Sequence, residues 1–512
     1  MIPRRDLPAW ATALLAILAG VLIGSGQPPL GLWPATMLGV ALITWLVAAM
    51  RKRAAFGYGY LAGLAMNTLT ISWIAVLGVP VAIGLVAYAS LWLAITALLV
   101  RVFVRLRWWP VWIASTWVAV EFVSGSWPFG GFAWTRLAFT TADNPISGFL
   151  PYIGVAGVGL LVAFLSQLLL VRAWWRTAPV VVLAFVLGGC LLWIPPSQPE
   201  QHVTIAAVQP NVNRHEYGGP YYAKAVTNNA LSASVMAMAE ARTQGTKVDA
   251  VLWPESAVDR DPLRDDESRQ RVEAATRIAA APVLVGAVTL PDSPPDSRQT
   301  SAIWWDPSRG PGPTYHKRNL VPFGEWIPFR EALLPLIPML EMTGRQSVPG
   351  EEPGVLDASV ERFPSLRLGT IICFELAYDD TVYDTVRNGA NVIVSQSNEN
   401  TYAGTFQIAQ QQTMNRIRAK ELGREIVVST LNSVSGHVTP RGAFVAPTAE
   451  FEGATRIVTV PLRYRATPAV TVGPALSRLA TAATVLVVIV TVTAPWRAKL
   501  SRTTSKEVRD EC

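Results

Sequence analysis

Three residue types that together perform thiol-based acyl transfer lie at the ends of apolar segments in this chain. Cys373 ends the segment GTIIC, and Glu255 ends the segment AVLWPE. Lys317 lies between them in the segment YHKRNLVPFGE. A thiol can attack a carbonyl carbon, a carboxylate can carry the thiol proton, and an ammonium can stabilise the resulting oxyanion. The three residues therefore predict a covalent acyl-transfer site.

The distribution of cysteines favours a reactive role for Cys373. The chain has three cysteines: Cys190 lies in a long apolar run and Cys512 is the last residue. A lone cysteine is more often a small core residue than a nucleophile. Cys373 is, however, the one thiol between residues 200 and 465, so it has no partner for a disulfide within that region. In an oxidising compartment such a thiol is a candidate for chemistry.

The composition is that of a membrane protein with a water-exposed part. Hydrophobic residues make up 51% of the 512 residues and charged residues 15%. A helix that crosses the bilayer needs about 20 apolar residues. Apolar runs of this kind predict eight spans, at 9–26, 30–50, 57–77, 80–100, 109–125, 149–171, 178–195 and 474–495.

The basic residues predict the orientation of these spans. They cluster after every second span and before the first, and cytoplasmic loops are the ones enriched in Lys and Arg. If the N-terminus lies in the cytoplasm, all the basic clusters lie on the cytoplasmic side of the membrane. The C-terminus then also lies in the cytoplasm. The net charge of +7 is explained by these flanks rather than by nucleic-acid binding. The clusters are Arg4 and Arg5, 51–53, 101–107, 172–176 and 497–506.

The region between the last two spans alternates apolar strands with helical segments. Strands are predicted at 203–209, 248–253, 282–288, 301–306, 366–374, 390–395, 425–431, 438–445 and 455–461, and helices at 223–244, 267–280, 379–387 and 405–422. This alternation predicts an α/β layered sandwich outside the membrane. The chain then divides into an α-helical membrane bundle of about seven spans (1–196), an extracytoplasmic catalytic domain (200–465), and a last span with a cytoplasmic tail (469–512).

Three motifs occur in an order that resembles the nitrilase superfamily. They are WPES at 253–256, YHKRNLVPFGE at 315–325 and ICFE at 372–375. Seven spans before such a domain and one after it resemble the membrane-embedded branch of that superfamily, the apolipoprotein N-acyltransferases. The resemblance implies a nitrilase-like sandwich. It also implies catalytic roles for Glu255 as the base, Lys317 as the oxyanion-stabilising residue and Cys373 as the nucleophile, with Glu325 and Glu375 as two further acidic residues near the site.

The resemblance implies a two-step reaction in the bacterial inner membrane. Cys373 would take a fatty acyl chain from a phospholipid as a thioester. The α-amino group of the N-terminal diacylglyceryl-cysteine of an apolipoprotein would then accept it, without a cofactor or a metal. Two segments depart from the commoner family pattern: Phe374 stands where many members have Tyr, and Asn398 begins NENTYAG where many have NDAWFG.

Two other classes of function remain open from the residues alone. A membrane-tethered nitrilase or amidase that acts on small C–N substrates needs the same three side chains, and release of ammonia would identify it. A transporter or a receptor would need paired charges within its spans. Apart from Glu121 the predicted spans carry almost none, which disfavours that class.

The charges near Cys373 predict its reactivity. An adjacent cation lowers the pKa of a thiol, so Lys317 is expected to favour the thiolate of Cys373. Like charges raise the pKa of a carboxyl group, so Glu325 and Glu375 are expected to make Glu255 a better base.

Two apolar segments are candidates for contact with lipid. The stretch 326–342 (WIPFREALLPLIPMLEM) is either a lid over the site or an ordinary amphipathic surface helix. Trp127, Phe129, Phe132 and Trp134 follow the fifth predicted span, where aromatic side chains commonly form a belt at the membrane surface.

Overall fold

The computed structural model of the chain describes residues 7–196, 199, 201–212, 222–335 and 337–510. The predicted basic pair Arg4 and Arg5, and Cys512, lie outside the described residues.

Apolar helices make up both ends of the described chain. Long runs of Ala, Leu, Val and Ile form helices there because a helix satisfies all of its backbone hydrogen bonds internally, as a bilayer requires. The helices are α1 (Ala9–Ser25), α2 (Trp33–Val47), α3 (Lys52–Ile71), α4 (Val79–Phe103), α5 (Trp109–Ser124), α6 (Leu150–Leu168), α7 (Trp174–Trp193) and α13 (Ala469–Asp510).

Five apolar helical segments are long enough to cross a membrane: Lys52–Leu77, Val79–Phe103, Pro145–Leu168, Trp175–Trp193 and Ala469–Thr493. Helices α1, α2 and α5 have 17, 15 and 16 residues. At 1.5 Å per residue they extend about 22–26 Å, less than the bilayer core of about 30 Å. Length and composition thus support five of the eight predicted spans, and the other three stay predictions.

The three shorter helices belong to the same packed bundle as the longer ones. Ala16 of α1, Ile43 of α2 and Ile113 of α5 are buried in one continuous apolar core. Gly20 of α1 lies so close to α3 that a Cβ would approach the carbonyl oxygen of Ala62 to 2.0 Å. Small residues of this kind let helix backbones approach closely, which is how helices associate within a bilayer.

The domain between α7 and α13 is built from strands and five helices in the described residues. The helices are α8 (Tyr222–Thr243), α9 (Asp266–Ala279), α10 (Arg330–Leu333), α11 (Asp379–Arg387) and α12 (Gln407–Leu422). The strands are β1 (His202–Gln209), β2 (Ala250–Leu252), β3 (Val283–Thr289), β4 (Ser297–Asp306), β5 (Gly310–His316), β6 (Gln346–Ser347), β7 (Val355–Asp357), β8 (Arg367–Ile372), β9 (Val392–Ser397), β10 (Ile426–Thr430), β11 (Gly436–Val438), β12 (Phe444–Val445) and β13 (Ala454–Pro461).

The strands form two sheets that face each other. The first has the order β13-β1-β2-β3-β4-β5, with β6 paired to β4, and the second has the order β12-β11-β10-β9-β8-β7. Within them β1, β2 and β3 run parallel, as do β8, β9 and β10. Val203 and Leu252 of the first sheet share a buried core with Leu368 and Val427 of the second. The ends of β2, β5 and β8, which precede the predicted site residues, therefore belong to two facing sheets.

Helices cover the outer faces of both sheets. Ala237 of α8 and Val272 of α9 pack with Val251 of β2 on the first sheet. Ile417 of α12 packs with Ile393 of β9 on the second sheet, in the apolar cluster that also includes the membrane bundle. The domain is thus the predicted α/β layered sandwich, with four layers in the order helix, sheet, sheet, helix.

Helix α12 is bonded directly to the membrane bundle through Gln410. Its side-chain oxygen accepts hydrogen bonds from the indoles of Trp73 (3.0 Å) and Trp134 (2.6 Å). Its amide nitrogen donates to the carbonyl oxygen of Thr70 at 2.9 Å. Because buried polar groups are costly unless they are paired, these bonds fix the position of the sandwich on the bundle.

A buried ion network reinforces the same junction. Arg136, in the loop after α5, contacts Asp379 at 2.6 Å, and Arg418 of α12 contacts both Asp379 (2.8 Å) and Glu421 (2.6 Å). Arg418 also donates to the carbonyl oxygen of Leu376 at 2.8 Å. Removing one partner from a buried ion pair typically costs about 3–5 kcal/mol, because the other charge is left uncompensated. The network therefore holds the segment after Cys373 against the bundle.

Helix α6 is interrupted where it meets this network. Gly154 has φ +65°, and the next amide, of Val155, donates to Glu421 at 2.6 Å. A Cβ at residue 154 would lie 2.6 Å from the hydroxyl oxygen of Tyr383. The left-handed backbone and this close approach both require glycine.

Candidate active site

Cys373 stands at a sharp turn from strand to helix. It follows β8 directly and begins a short 3-10 helix, Cys373–Ala377. Its backbone has φ +53°, a left-handed conformation that costs a residue with a Cβ about 1–2 kcal/mol. The side chain of Cys373 remains partly exposed and packs against the apolar core between the two sheets. The geometry resembles the strained turns that present nucleophiles in other folds.

Lys317 and Glu255 form a buried ion pair beside this turn. Lys317 follows β5 and is 2% exposed, while Glu255 lies after β2 and is 6% exposed. The Lys317 Nζ lies 3.0 Å from Glu255 Oε1 and 3.2 Å from Glu325 Oε1. The other oxygen of Glu255, Oε2, accepts a hydrogen bond from the amide of Asn398 at 2.7 Å. Each oxygen of Glu255 is thus held by a donor from a different sheet.

Glu325 is held in place by its own loop. Its Oε2 accepts from the amide of Val321 at 2.8 Å, and its Oε1 from the hydroxyl of Thr300 at 3.2 Å. With Glu255 it places two carboxylates around the ammonium of Lys317. Two anions next to a buried cation keep that cation charged.

Glu375 joins the turn at Cys373 to the loop that carries Lys317. It is fully buried, and its Oε1 accepts from the hydroxyl of Tyr315 (2.7 Å) and the amides of Arg318 (2.7 Å) and Asn319 (3.2 Å). Its Oε2 accepts from the amide of Ile372 at 2.9 Å. All four bonds go to the protein scaffold, so Glu375 sets the distance between the two loops.

Burial raises the pKa of the Cys373 thiol well above its ordinary value, and the Glu255 carboxylate raises it further. Lys317 opposes this increase but does not reverse it. The predicted direction of the Lys317 effect is confirmed, since Lys317 lowers the pKa of Cys373, but burial and the Glu255 carboxylate outweigh this effect. The resting residue is a thiol, and attack requires a base.

Burial also raises the pKa of Glu255, while Lys317 lowers it and Glu325 raises it. The predicted effect of Glu325 is confirmed, although burial is the larger cause. The effect predicted for Glu375 stays a prediction. Burial alone lowers the pKa of Lys317, but Glu255 and Glu325 raise it well above its ordinary value, so this residue is an ammonium.

Comparison with known proteins identifies the family. The family model of the apolipoprotein N-acyltransferase N-terminal domain matches residues 19–168, and that of the carbon-nitrogen hydrolases matches residues 204–468. An apolipoprotein N-acyltransferase of Mycolicibacterium smegmatis is 30% identical over 93% of this chain and 84% of its own length. The chain belongs to the apolipoprotein N-acyltransferase family.

Two further proteins are similar to this chain. An apolipoprotein N-acyltransferase of Vibrio cholerae is 25% identical over 88% of this chain and 91% of its own length. A solved amidase from Nesterenkonia sp. is 17% identical and covers 53% of this chain and 95% of its own, with a TM-score of 0.36. Because the carbon-nitrogen hydrolase model matches residues 204–468, the four-layered sandwich of this family member is a carbon-nitrogen hydrolase domain, joined to a helical N-terminal region.

An aromatic stack connects the site of this acyltransferase family member to its membrane bundle. Phe374 stacks on Trp134 (5.7 Å between ring centroids) and on Phe132 (5.9 Å), and it meets Tyr378 edge-on at 5.2 Å. Trp134 is 3% exposed, so the predicted position of this residue in a surface belt is wrong. Its ring is instead covered by the residue next to Cys373. Trp127, in contrast, is 65% exposed.

The stretch 326–342 is not a continuous surface helix. It contains α10 and the 3-10 helix Pro338–Thr343, because prolines at 328, 335 and 338 interrupt any longer helix. Leu336 lies outside the described residues. Phe129, in the loop after α5, contacts Trp326 (6.3 Å between centroids) and Phe329 (5.8 Å) edge-on. The stretch 326–342 therefore contacts the loop after α5, beside the site.

Sequence reasoning missed the contribution of the segment after β9. Asn398 supplies the amide that orients Glu255, and Glu399 is fully buried next to it. The sequence shows this segment only as a departure from the commoner family pattern. The available signal in the sequence was Glu399, an acidic residue two positions after the apolar strand β9.

Proposed function

We propose that this protein transfers a fatty acyl chain from a membrane phospholipid to the α-amino group of the N-terminal diacylglyceryl-cysteine of apolipoproteins. The acyl chain is carried as a thioester on Cys373. The observation that carries the proposal is the buried Lys317–Glu255 pair beside a thiol whose neighbour, Phe374, stacks on aromatic rings of the membrane part. Family membership supports the same reaction.

In the first half-reaction Glu255 takes the proton of the Cys373 thiol, and the sulfur attacks the ester carbonyl of the phospholipid. Lys317 stabilises the negative oxygen of the tetrahedral intermediate. The intermediate collapses with cleavage of the ester C–O bond. Glu255 returns its proton to the departing oxygen, which leaves as the lysophospholipid alcohol.

In the second half-reaction the amine of the diacylglyceryl-cysteine attacks the thioester carbonyl. Lys317 again stabilises the oxyanion, and the C–S bond breaks as the amide forms. Glu255 accepts the amine proton and passes it to the departing sulfur, which regenerates the thiol. Throughout, Glu325 keeps Lys317 charged and Glu375 holds the two loops together.

The membrane layout follows from the same proposal. Residues 1–196 form a bundle of seven spans, 200–465 the catalytic domain, and 469–512 the eighth span with a cytoplasmic tail. Helices α1, α2 and α5 count as spans because they pack into one core with the longer helices. Two membrane-anchored substrates explain why the catalytic domain is fused to a bundle. The catalytic domain lies on the extracytoplasmic face of the bacterial inner membrane, and both termini lie in the cytoplasm.

A two-product assay tests the proposed reaction. Purified protein is incubated with phospholipid vesicles and a synthetic peptide whose N-terminal cysteine carries a diacylglyceryl group. We expect equal amounts of lysophospholipid and N-acylated peptide over many turnovers, measured by mass spectrometry. With the N-acetylated peptide as control acceptor we expect no N-acylated product and no more than one lysophospholipid per protein molecule, from acylation of Cys373. Release of ammonia from small amides without lysophospholipid would instead identify the amidase alternative.

Cysteine labelling tests the orientation. In a protein that lacks the three native cysteines, Asp292→Cys places a thiol on the catalytic domain and Arg53→Cys places one at the start of α3; both positions are exposed. A membrane-impermeant maleimide should label the Asp292→Cys protein in intact spheroplasts and the Arg53→Cys protein only after lysis. The opposite pattern would invert the topology.

A further inference from the structure

Glu399 is a fourth carboxyl group at the site, and it has no cationic partner among the residues that the structure describes. It follows β9, is fully buried, and its Oε2 accepts a hydrogen bond from the hydroxyl of Ser433. Its Oε1 is also buried, and the hydroxyl of Ser397 lies near the carboxyl group. Glu399 makes no salt bridge within the described residues. Lys317, the cation of the site, is bonded to Glu255 and Glu325 instead.

A buried carboxylate without a cation is costly, whereas a buried carboxylic acid is not. We propose that Glu399 is a positioning residue that works as a neutral acid behind Glu255, and that its ionisation switches off acylation of Cys373. The inference rests on the proposed roles of Glu255 and Cys373. It concerns the charge state of one side chain, which the proposed reaction leaves unspecified.

The surroundings of Glu399 favour its protonated, neutral form. Burial raises the pKa of Glu399 to about 8, the Ser433 and Ser397 hydroxyls oppose this, and Glu255 and Glu450 add to it. The charged and titratable groups that face Glu399 are thus Glu255 after β2, Glu450 before β13, and Cys373 after β8. None of the three is a cation.

The backbone around Glu399 explains why its charge matters. The amide of the preceding residue, Asn398, holds Glu255. The side chain of the following residue, Asn400, accepts a hydrogen bond from Asn432 at 2.6 Å. Glu399 therefore sits in the middle of the turn that orients the base. Its carboxyl group cannot move away from Glu255 without disturbing that turn.

Ionised Glu399 would oppose every negative charge that forms in the reaction. Once Glu399 is ionised, its charge raises the pKa of the Cys373 thiol. A negative charge here also destabilises the thiolate and the oxyanion of the tetrahedral intermediate. The neutral acid is the working form, so acylation should proceed at neutral pH and slow as the pH rises above about 8.

The test is the pH dependence of single-turnover acylation of Cys373 by phospholipid, followed by mass spectrometry of the intact protein. For the wild type we expect a rate that falls about tenfold for each pH unit above the transition, as the neutral fraction of one acid does. Glu399→Gln carries a permanently neutral isostere and should lose this alkaline decline. Glu450→Gln is the matched control: it should keep the decline, moved to lower pH because Glu450 helps to raise the pKa of Glu399.

A second variant covers the case in which Glu399→Gln does not fold. Ser433→Ala removes the hydroxyl that stabilises ionised Glu399, so the alkaline decline should move to higher pH. The inference is overturned if Glu399→Gln declines as the wild type does, if folded Glu399→Gln fails to acylate at pH 7, or if the decline is unmoved in Ser433→Ala. Absence of acylation in the wild type would overturn the proposed reaction itself, which is a different result.

Thermal unfolding supplies an independent readout. Glu399 titrates near 8 in the folded state, above the ordinary range of a glutamate in an unfolded chain. Between those two pH values the folded state holds the extra proton, so this residue makes wild-type stability fall as pH rises. The Tm of Glu399→Gln should fall less steeply over the same range. A pH dependence equal to that of the wild type would contradict a protonated Glu399.

Discussion

Cys373→Ala should abolish acyl transfer, with a loss on the order of 10⁶-fold, as removal of an attacking side chain does in other enzymes with covalent intermediates. The methyl group cannot form a thioester, so neither half-reaction has a carrier. Wild-type protein incubated with phospholipid should gain the mass of one fatty acyl chain, and neutral hydroxylamine should remove it. Cys373→Ala should gain none.

Cys190→Ala is the matched control, because Cys190 is the other cysteine among the described residues and lies on α7. It should acquire the acyl mass as the wild type does. Circular dichroism and Tm should confirm that both variants are folded. An acyl adduct that persists in Cys373→Ala would contradict the mechanism, since the thioester would then be on a different residue.

The positions of the catalytic residues could be predicted because they depend on strand ends. Glu255 and Cys373 each follow an apolar segment, and the structure places them just after β2 and β8. Helix 379–387 was predicted with its observed bounds because its apolar residues recur at helical spacing and Gly389 follows it. At these positions the local pattern of apolar and polar residues was enough to predict the structure.

Strand β5, which leads into Lys317, was not predicted. Its sequence, GPGPTYH, contains two prolines and two glycines, which disfavour a strand. It forms nevertheless at the edge of the first sheet, where only β4 must pair with it. Pairing with β4 in the folded sheet outweighed the low strand propensity of this segment. The local sequence contains no signal for this strand.

Long-range contacts account for the remaining differences. The pKa of Cys373 depends on its burial and on three acidic side chains from other segments, Glu255, Glu399 and Glu325, which only folding brings close. The burial of Trp134 depends on Phe374, 240 residues away in a different domain. The sequence identifies the charged residues near each site residue along the chain. It does not contain the distances between segments that are far apart in sequence.

The second large effect is expected for Glu255→Gln. The amide keeps the shape of the side chain, but its single oxygen can accept from only one of the two donors, Asn398 or Lys317, and it cannot take a proton. Because burial and Glu255 hold Cys373 as a thiol, loss of the base should slow thioester formation by about 10²–10⁴-fold. The measurement is the single-turnover rate of acylation with saturating phospholipid.

The pH dependence of this variant separates the base from a merely structural residue. Without Glu255 the attacking thiolate must form by direct ionisation, so the rate of Glu255→Gln should rise about tenfold per pH unit at pH values below the ionisation of Glu399 at about 8. Glu325→Gln removes a carboxylate at the same ammonium but keeps the base, so it should not show this rise. If Glu255→Gln acylates at the wild-type rate, the base is another group, and Glu325 or Glu375 is next to be tested. A slow rate with an unchanged pH profile would mean that Glu255 only positions Lys317.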